Sequence, residues 1–561
     1  MPKGARAAAA LAALGLALTG ALSGCGAVHQ ATSPPAPSAT SPFTSPSTSP
    51  YAGSSSSSAP TGASSSVADH VTLTESPAGV RSSAVVAENR KAGSPSWRIT
   101  GAPKNGYIRG FADRTYAAQG QQVVLRVATD APSFRVVAYR VGWYGGAGAR
   151  EVWHSGTVTA RHQPACTVTH GINMVSCEAW HPSLTMPVTA AFVPGDYLLK
   201  LVGRDQQQGY VPLTVWDPAS RATYVMKNDV FTWQAWNTYG GYDYYAGLGT
   251  CPPGIYPLCS RARVVSFDRP YDRRGAAGFL QLEAPLVRYM ERRGLDVTYV
   301  TDITVAQHPG LLRRHRVMLS LGHDECWTYT ERRAAVAAEH HGMNVAFFGA
   351  SGMLRHVRLE SSRLGADRQL VDYRDSTADP LNGRGNRMEV TANTWSDPPA
   401  SWPENSFVGE DYNGFLEPGG DAALTVVDPT SWVFGGTGLR SGARLPGVVA
   451  SDVDSLQPGL GHPADVEVLA HSAVPSSLGQ SPSGSGGSFY SDMTYYTDPH
   501  SRAGVWDSGT NNWIPALENT QRESAATLAA VQRITGNVLR VLGMGPAGRA
   551  HPSKPNWRRF Y

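Results

Sequence analysis

The sequence predicts an α/β domain built on a parallel sheet and carrying a β-rich insertion, preceded by a β-sandwich. Three observations predict it: short alternating strands before residue 218, apolar strands separated by helices after it, and short strands again from about 387 to 513. Charged residues make up only 16% of the 561 residues, which excludes a coiled coil. Lys and Arg (48) barely exceed Asp and Glu (44), so we expect no nucleic-acid partner.

The first 24 residues have the pattern of an export signal. Lys3 and Arg6 precede the apolar run Ala7–Leu18, which is too short to cross a bilayer. The run leads to LSGC (22–25), which resembles the lipobox of bacterial lipoproteins and implies cleavage before Cys25 and lipidation of its thiol. An ordinary secretory signal is the alternative. We expect a protein on the extracytoplasmic face of the cell membrane, touching that membrane only through its lipid.

Residues 25–80 are rich in Ser, Thr and Pro, with Thr-Ser-Pro recurring four times. Such a segment buries too little apolar surface to fold, so it predicts a disordered tether.

Five cysteines remain beyond Cys25. Cys166 and Cys177 lie close together in the sequence, as do Cys251 and Cys259, and each pair could form a disulfide in an oxidising compartment. Cys326 is left unpaired.

Residues 81–218 alternate apolar and polar positions between Gly, Pro and Asp turns, which is typical of an Ig-like β-sandwich. The predicted strands are Gln122–Thr129, Arg135–Val141, Tyr197–Val202 and Tyr210–Trp216.

Residues 219–545 alternate strands with helices, and 546–561 form a C-terminal tail. The spacing predicts a helix over Leu286–Arg293 that ends at Gly294, and a second helix that Thr330 caps and that runs to His341. The predicted strands are Val297–Val300, Val317–Leu321 and Val345–Phe348, followed by a hairpin of Met493–Thr497 and Ala503–Asp507; a long helix covers Ser524–Leu542 and a Gly/Ser loop 484–487.

Two segments follow buried parallel strands, at the edge where open α/β sheets carry their chemistry: GHDECW (322–327) and GASG (349–352). If the chain stays extended, His323 and Glu325 point to one side and Asp324 to the other. An imidazole and a carboxylate that converge there suit acid–base catalysis or metal binding, and a salt-bridged loop is the alternative.

Cys326 lies in the turn after a parallel strand, as a nucleophile would. No Gly follows it at the spacing of a nucleophile elbow, so a buried structural thiol is the alternative. The same holds for Ser351, because Met353 stands where G-x-S-x-G requires Gly.

The segment 232–245 contains four tyrosines in seven residues around a Gly-Gly turn. They could line a pocket, stack on sugars or offer phenolate oxygens to a hard cation, and plain aromatic packing is the alternative. The segment DRPY (268–271) is more typical of a local salt-bridged turn than of a site.

Together these segments resemble the C-terminal domain of the large (β) subunit of N,N-dimethylformamidase and its relatives. The resemblance rests on TWQAWNTYGGYDYY (232–245), VVSFDRPYD (264–272), LSLGHDECW (319–327) and VAFFGASG (345–352), and on YRVGWYGGAG (139–148), WPEN (402–405) and WVFGGTGLR (432–440).

The resemblance implies a glutamine-amidotransferase-like α/β core. It also implies a mononuclear iron, held by two tyrosine oxygens and one glutamate, that hydrolyses a small amide. Carried onto this chain, the resemblance implies Glu325, Tyr245 and Tyr271 as metal ligands, with Tyr244 as an alternative tyrosine and His323 as the acid–base neighbour. Three further positions are then expected at the substrate: Tyr244, and Cys326 and Ser351, where the family usually has Tyr and Asn.

The sequence therefore predicts a metal-assisted hydrolase that acts on a C–N bond of a small amide or cell-envelope substrate, with Glu325 as ligand or base and His323 as acid–base partner. Two alternatives stay open: a metal-free hydrolase that uses Cys326, and a non-catalytic module that binds envelope polysaccharide through its aromatic loops.

Overall fold

The computed structural model describes residues 71–100, 106–251, 258–459, 461–482, 488–518 and 523–561. Strands (about 34%) exceed helices (about 22%), so the fold is mixed and sheet-rich. The predicted signal 1–24, most of the predicted tether and the predicted loop 484–487 lie outside the described residues. No described helix is long and apolar enough to cross a bilayer.

The strands up to residue 215 form several small sheets. In chain order they are β1 (Leu73–Ser76), β2 (Gly79–Ser82), β3 (Ile108–Ala112), β4 (Tyr116–Ala117), β5 (Gln122–Thr129), β6 (Ser133–Val141), β7 (Ala149–His154), β8 (Val158–Thr159), β9 (Thr167–Thr169), β10 (Met174–Ser176), β11 (Leu184–Pro187), β12 (Gly195–Gly203) and β13 (Gln208–Val215).

The later strands include those of the central sheet. They are β14 (Tyr224–Asn228), β15 (Val264–Ser266), β16 (Val297–Thr301), β17 (Val317–Gly322), β18 (Cys326–Thr328), β19 (Asn344–Gly349), β20 (Arg355–Ser362), β21 (Gly365–Val371), β22 (Asp411–Leu416), β23 (Ala422–Thr425), β24 (Arg444–Val449), β25 (Asp452–Ser455), β26 (Glu467–Pro475), β27 (Gly479–Gln480), β28 (Ser488–Thr497) and β29 (Gly504–Asp507).

The helices lie mainly beside the central sheet. They are α1 (Ser83–Asn89), α2 (Val230–Ala235), α3 (Phe279–Leu282), α4 (Ala284–Arg293), α5 (Asp302–Gln307), α6 (Tyr329–Glu339), α7 (Asn405–Val408) and α8 (Ala525–Gly543).

The strands predicted before residue 218 are confirmed, and they enclose a core of their own. Sheets β11-β5-β3 and β4-β13-β12-β6-β7 bury the alternate residues that the sequence places on one face, among them Val123, Leu125 and Leu213. The disulfides Cys166–Cys177 and Cys251–Cys259 are both formed, and Cys326 is free. The predicted tether extends too far, because β1 and β2 form a hairpin in which Val80 is buried.

The central sheet has the order β16-β14-β17-β19-β29-β28-β26. Its first five strands are parallel, as the alternation of strands and helices predicts, and β28 and β26 add antiparallel pairs. The predicted hairpin is β28–β29, and β29 joins the parallel part beside β19. The carboxyl ends of β14, β17, β19 and β29 therefore meet at one edge, which we call the carboxyl edge.

Local signals set the helix ends. α4 ends at Gly294, whose φ of 65° lies in the left-handed region that glycine tolerates. The cap of α6 is Thr328, and not Thr330 as predicted. The Thr328 hydroxyl accepts a hydrogen bond from the Glu331 amide, and the Glu331 carboxylate accepts one from the Thr328 amide, which is the capping box that T-x-x-E encodes.

The region from 387 to 513 forms several short strands, as predicted. One of them, β25, reaches the carboxyl edge, because Val453 bridges Thr510 just beyond β29 and the Asp454 amide donates to the Gly509 carbonyl. This contact brings a distant part of the chain to the ends of β17 and β19.

Candidate active site

Glycines allow two strands to end close together at the carboxyl edge. Gly322 has a φ of 52°, and a Cβ atom on Gly349 would lie 1.4 Å from the Gly322 carbonyl oxygen. Beyond Gly322, Asp324 turns to one side, where it contacts Lys227, while His323 and Glu325 contact one another on the other side. The alternation inferred for this segment is therefore confirmed.

The Glu325 carboxylate is buried and surrounded by donors. Oε1 accepts hydrogen bonds from the Tyr245 hydroxyl and from Arg355 Nε at 3.0 Å. Oε2 accepts one from Trp236 Nε1 at 3.0 Å. Burial alone would raise the pKa of Glu325, but the charges of His323 and Arg355 and the Tyr245 hydrogen bond lower this pKa to about 2. Glu325 is thus a fixed anion.

His323 lies between two carboxylates. Its Nε2 atom is 3.1 Å from Asp452 Oδ2 and 3.4 Å from Glu325 Oε2. Burial would lower the pKa of His323, but the charge of Asp452 and then that of Glu325 outweigh it and raise this pKa to about 9. The imidazole is therefore protonated at neutral pH.

Asp452 forms the outer side of the site. The Ser351 hydroxyl donates to Asp452 Oδ2 at 2.9 Å, and the Ser351 amide donates to Asp454 Oδ1 at 2.7 Å. The side chain of Asp452 is 20% exposed, against 13% for His323 and 3% for Glu325. Of these three side chains, Asp452 is therefore the most open to solvent.

Aromatic and cationic groups complete the wall around Glu325. Trp236 stacks on Tyr245 with ring centroids 3.8 Å apart. The Arg374 guanidinium lies 4.5 Å from the centroid of the Tyr245 ring. The Tyr245 hydroxyl is held on Glu325, so the phenol-rich segment and the His–Glu pair do share one cluster.

A sequence profile described as N,N-dimethylformamidase beta subunit-like, C-terminal, matches residues 135–525. This match spans more than half of the chain. The protein belongs to the N,N-dimethylformamidase beta subunit-like family. Membership suggests an amide hydrolase. The match begins inside the predicted sandwich, and the boundary at 218 stays a prediction.

Other comparisons add little to the family assignment. No curated protein matches the sequence. Domain 1 of VCBP3 from Branchiostoma floridae shares 7% identity over 20% of this chain and 98% of its own, with a TM-score of 0.14. Murine CEACAM1b shares 16% identity over 21% of this chain and 61% of its own, with a TM-score of 0.12. Such low scores carry no structural argument.

The iron ligands that the dimethylformamidase resemblance implies do not assemble here. Glu325 and Tyr245 are in contact, but Tyr271 packs edge-on against Trp233, with its hydroxyl beside Gln234. The Glu325 oxygens are already bonded to donors, and a guanidinium and an imidazolium adjoin them, so a ferric ion would meet two positive charges. These residues do not fit the implied iron site.

A different triad lies close enough to hold a metal ion. Glu339, His340 and Asp498 each offer one ligand atom, and these atoms lie within 4.8 Å of one another. Glu339 and His340 precede β19, and Asp498 precedes β29. Because β19 and β29 are parallel neighbours, the triad lies at the edge of the sheet opposite the carboxyl edge.

Three residues expected at the substrate occupy different positions. Ser351 contacts Asp452 and lies at the site. Cys326 is fully buried, and burial raises the pKa of its thiol, so the reactive thiolate is disfavoured and neither a nucleophile nor a substrate contact is supported. Tyr244 is also fully buried, and with Tyr245 buried too, this pair offers no stacking surface for a polysaccharide.

A larger cavity lies away from His323. Its empty volume between the early sheets and the central sheet is about 490 Å³, part of which is open to solvent. Its lining includes Asp196, Asn228, Trp233, Arg269 and Tyr271, but neither His323 nor Glu325. Tyr271 therefore belongs to this cavity.

Sequence reasoning missed Asp452 and Arg355. Arg355 begins β20 and follows closely after the GASG segment. This closeness to a strand end at the carboxyl edge could have predicted that Arg355 lies at the site. Asp452 carried none, since only the packing of β25 on the residues after β29 brings it to His323.

Proposed function

We propose that this protein hydrolyses the C–N bond of a small amide by acid–base catalysis at His323 and Asp452, without using Glu325 as a base. The observation that carries the proposal is the position of His323 Nε2, 3.1 Å from Asp452 and 3.4 Å from Glu325. The family assignment supports amide hydrolysis as the reaction class.

His323 is suited to act as the general acid. With its pKa raised to about 9, the imidazole is protonated on both ring nitrogens at neutral pH and has no free lone pair to accept another proton. It can give that proton to the leaving nitrogen as the C–N bond breaks. Both carboxylates lie within 3.4 Å of Nε2, so their charges favour the protonated ring before the transfer.

Asp452 is the better base, because it is the more exposed carboxylate and Glu325 is surrounded by donors. In the proposed reaction, water adds to the carbonyl carbon while Asp452 takes one of its protons. The tetrahedral intermediate collapses when His323 protonates the nitrogen, and the products are a carboxylic acid and an amine. Glu325 is then a positioning residue that orients His323 and Arg355.

The test is release of amine from formamide, N,N-dimethylformamide and N-alkyl acetamides by the purified chain. His323→Gln and Asp452→Asn are each expected to lower kcat by about 10²–10⁴-fold, the usual worth of a general acid or base. The matched control is His471→Gln. Like His323, His471 contacts an aspartate, with Nδ1 2.7 Å from Asp492 Oδ1, but it lies in β26 and not beside His323. Full activity in both site variants, or no hydrolysis of any amide, would reject the proposal.

We further propose that the parallel part of the central sheet is the glutamine-amidotransferase-like core, and that the sheets before residue 218 form the Ig-like sandwich. The five parallel strands and the separate core of the early strands support this assignment. Circular dichroism and limited proteolysis of a chain truncated to 219–561 would test whether the two parts fold separately.

We also propose export and lipid anchoring through Cys25, which would place the active site and its small amide or cell-envelope substrate outside the cytoplasm. The two disulfides support an oxidising compartment. Metabolic labelling with a radioactive fatty acid should mark the wild type and not Cys25→Ser; equal labelling of both would contradict the anchor.

A further inference from the structure

The end of α6 carries a buried carboxylate with an unused oxygen. Glu339 is only 3% exposed, and its Oε1 atom has no hydrogen-bond partner among the described residues. Its other oxygen, Oε2, lies 3.6 Å from His340 Nε2. A carboxylate withdrawn from water without a donor or cation is costly, so this position calls for a positive partner.

Asp498 brings a second carboxylate to the same point. It lies in the turn between β28 and β29, and its Oδ1 atom accepts hydrogen bonds from the amides of His500 at 2.9 Å and Ser501 at 2.6 Å. The turn therefore fixes the side chain. Ligand atoms of Glu339, His340 and Asp498 lie within 4.8 Å of one another.

We propose that Glu339, His340 and Asp498 bind a divalent transition-metal ion of the zinc type. One imidazole nitrogen with two carboxylate oxygens is a ligand set that Zn²⁺ accepts. Two ligands at about 2.1 Å from a tetrahedral ion are about 3.4 Å apart, close to the 3.6 Å between Glu339 and His340. The α6 dipole adds negative potential at this helix end.

The ion would link the end of α6 to the β28–β29 turn. Both elements precede strands of the parallel sheet, so the site lies at the amino edge, and His323 and Glu325 at the other. The role is therefore structural: the ion stabilises the sheet without taking part in amide hydrolysis.

The test uses the full chain, purified without a histidine tag and treated with EDTA, and titrates it with ZnCl₂ by calorimetry. One Zn²⁺ per chain is expected, and Glu339→Gln, His340→Gln and Asp498→Asn should each weaken binding by more than about 10-fold. Zn²⁺ should raise the Tm of the wild type and not of these variants. His154→Gln is the matched control, since His154 is an exposed imidazole 3.0 Å from the single carboxylate of Glu151.

Two features separate ligand loss from unfolding. Glu339→Gln removes a buried charge whose Oε1 atom has no hydrogen-bond partner, so its metal-free form should be at least as stable as the metal-free wild type. His340→Gln changes a side chain that is 61% exposed. Absence of stoichiometric Zn²⁺ binding, equal binding by the three variants, or binding that only His323→Gln abolishes would overturn the proposal.

Discussion

Adjacent residues at the end of β17 enter two ionic clusters that differ in their access to solvent. Asp324 joins a closed cluster in which Lys227 Nζ lies 2.8 Å from Asp324, 2.5 Å from Asp302 and 3.2 Å from Glu331, all at 0–2% exposure. His323 and Glu325 join an open one, in which Asp452 is 20% exposed. Directly neighbouring residues therefore enter a fully buried ion network and a partly exposed cluster.

The difference lies in how each charge is balanced. In the closed cluster three acidic side chains surround one ammonium, burial raises the pKa of Glu331 well above its usual range, and none of these groups is more than 2% exposed. In the open cluster one imidazolium lies between two carboxylates, and Arg355 balances Glu325. Because Asp452 is partly exposed, its charge remains available to a substrate. The closed cluster therefore stabilises the fold, and the open one performs the proposed chemistry.

The largest expected effect comes from breaking the closed cluster. Lys227→Met removes the cation from three buried carboxylates and should cost about 3–5 kcal/mol of stability, measured by thermal and urea unfolding. Lys91→Met is the control, since Lys91 is 53% exposed beside Glu88 and its loss should cost about 0–1 kcal/mol. Equal stability of the two variants would show that the Lys227 network does not hold the fold.

Glu325→Gln is expected to lower stability less than Lys227→Met does, but to change the kcat of amide hydrolysis and its pH dependence. The amide keeps its size and loses the charge, so Arg355 and His323 lose their common anchor and kcat should fall by about 10²-fold. The pKa of His323 should fall too, moving the alkaline limb of the kcat profile to lower pH. Asp324→Asn should lower Tm and leave that limb in place; identical pH profiles in both variants would contradict the division between the clusters.

The stability that His323 contributes to the open cluster depends on pH. The pKa of His323 is raised from about 6.5 to about 9, so the stability it adds is complete below pH 6.5 and is lost as pH rises through 9. The difference in Tm between wild type and His323→Gln should therefore shrink over that window. A constant difference from pH 6 to 10 would mean that His323 is not charged in the folded state.

The smallest effect is expected at Cys326. Its thiol is fully buried, so Cys326→Ala should cost about 1 kcal/mol in stability and leave amide hydrolysis unchanged. Iodoacetamide should fail to label the native wild type. A loss of activity in Cys326→Ala at unchanged Tm would instead support a thiol hydrolase.

Local rules predicted much of the framework. Period-two alternation placed β5, β12 and β13, and Gly294 marked the end of α4, because these features depend on neighbouring residues alone. The same alternation placed His323 and Glu325 opposite Asp324. The sequence could therefore predict the edge at which the site lies.

The composition of the site depended on contacts between distant segments. Asp452 reaches His323 only through the packing of β25, and no local pattern encodes that contact. The family resemblance implied Tyr271 as a ligand, yet its ring packs on Trp233 at a separate cavity. Thr328, and not Thr330, caps α6 because the reciprocal bond with Glu331 fixes the position.

The proton-donor role of His323 is tested most directly by the pKa of its imidazole, measured by NMR on the chain labelled with ¹⁵N-histidine, with His323→Gln to assign the signal. We expect an imidazole that keeps both ring protons at neutral pH and titrates near pH 9, and that titrates lower in Asp452→Asn. A neutral His323 at pH 7, or a titration that Asp452→Asn leaves unmoved, would contradict the claim that this imidazole is the proton donor.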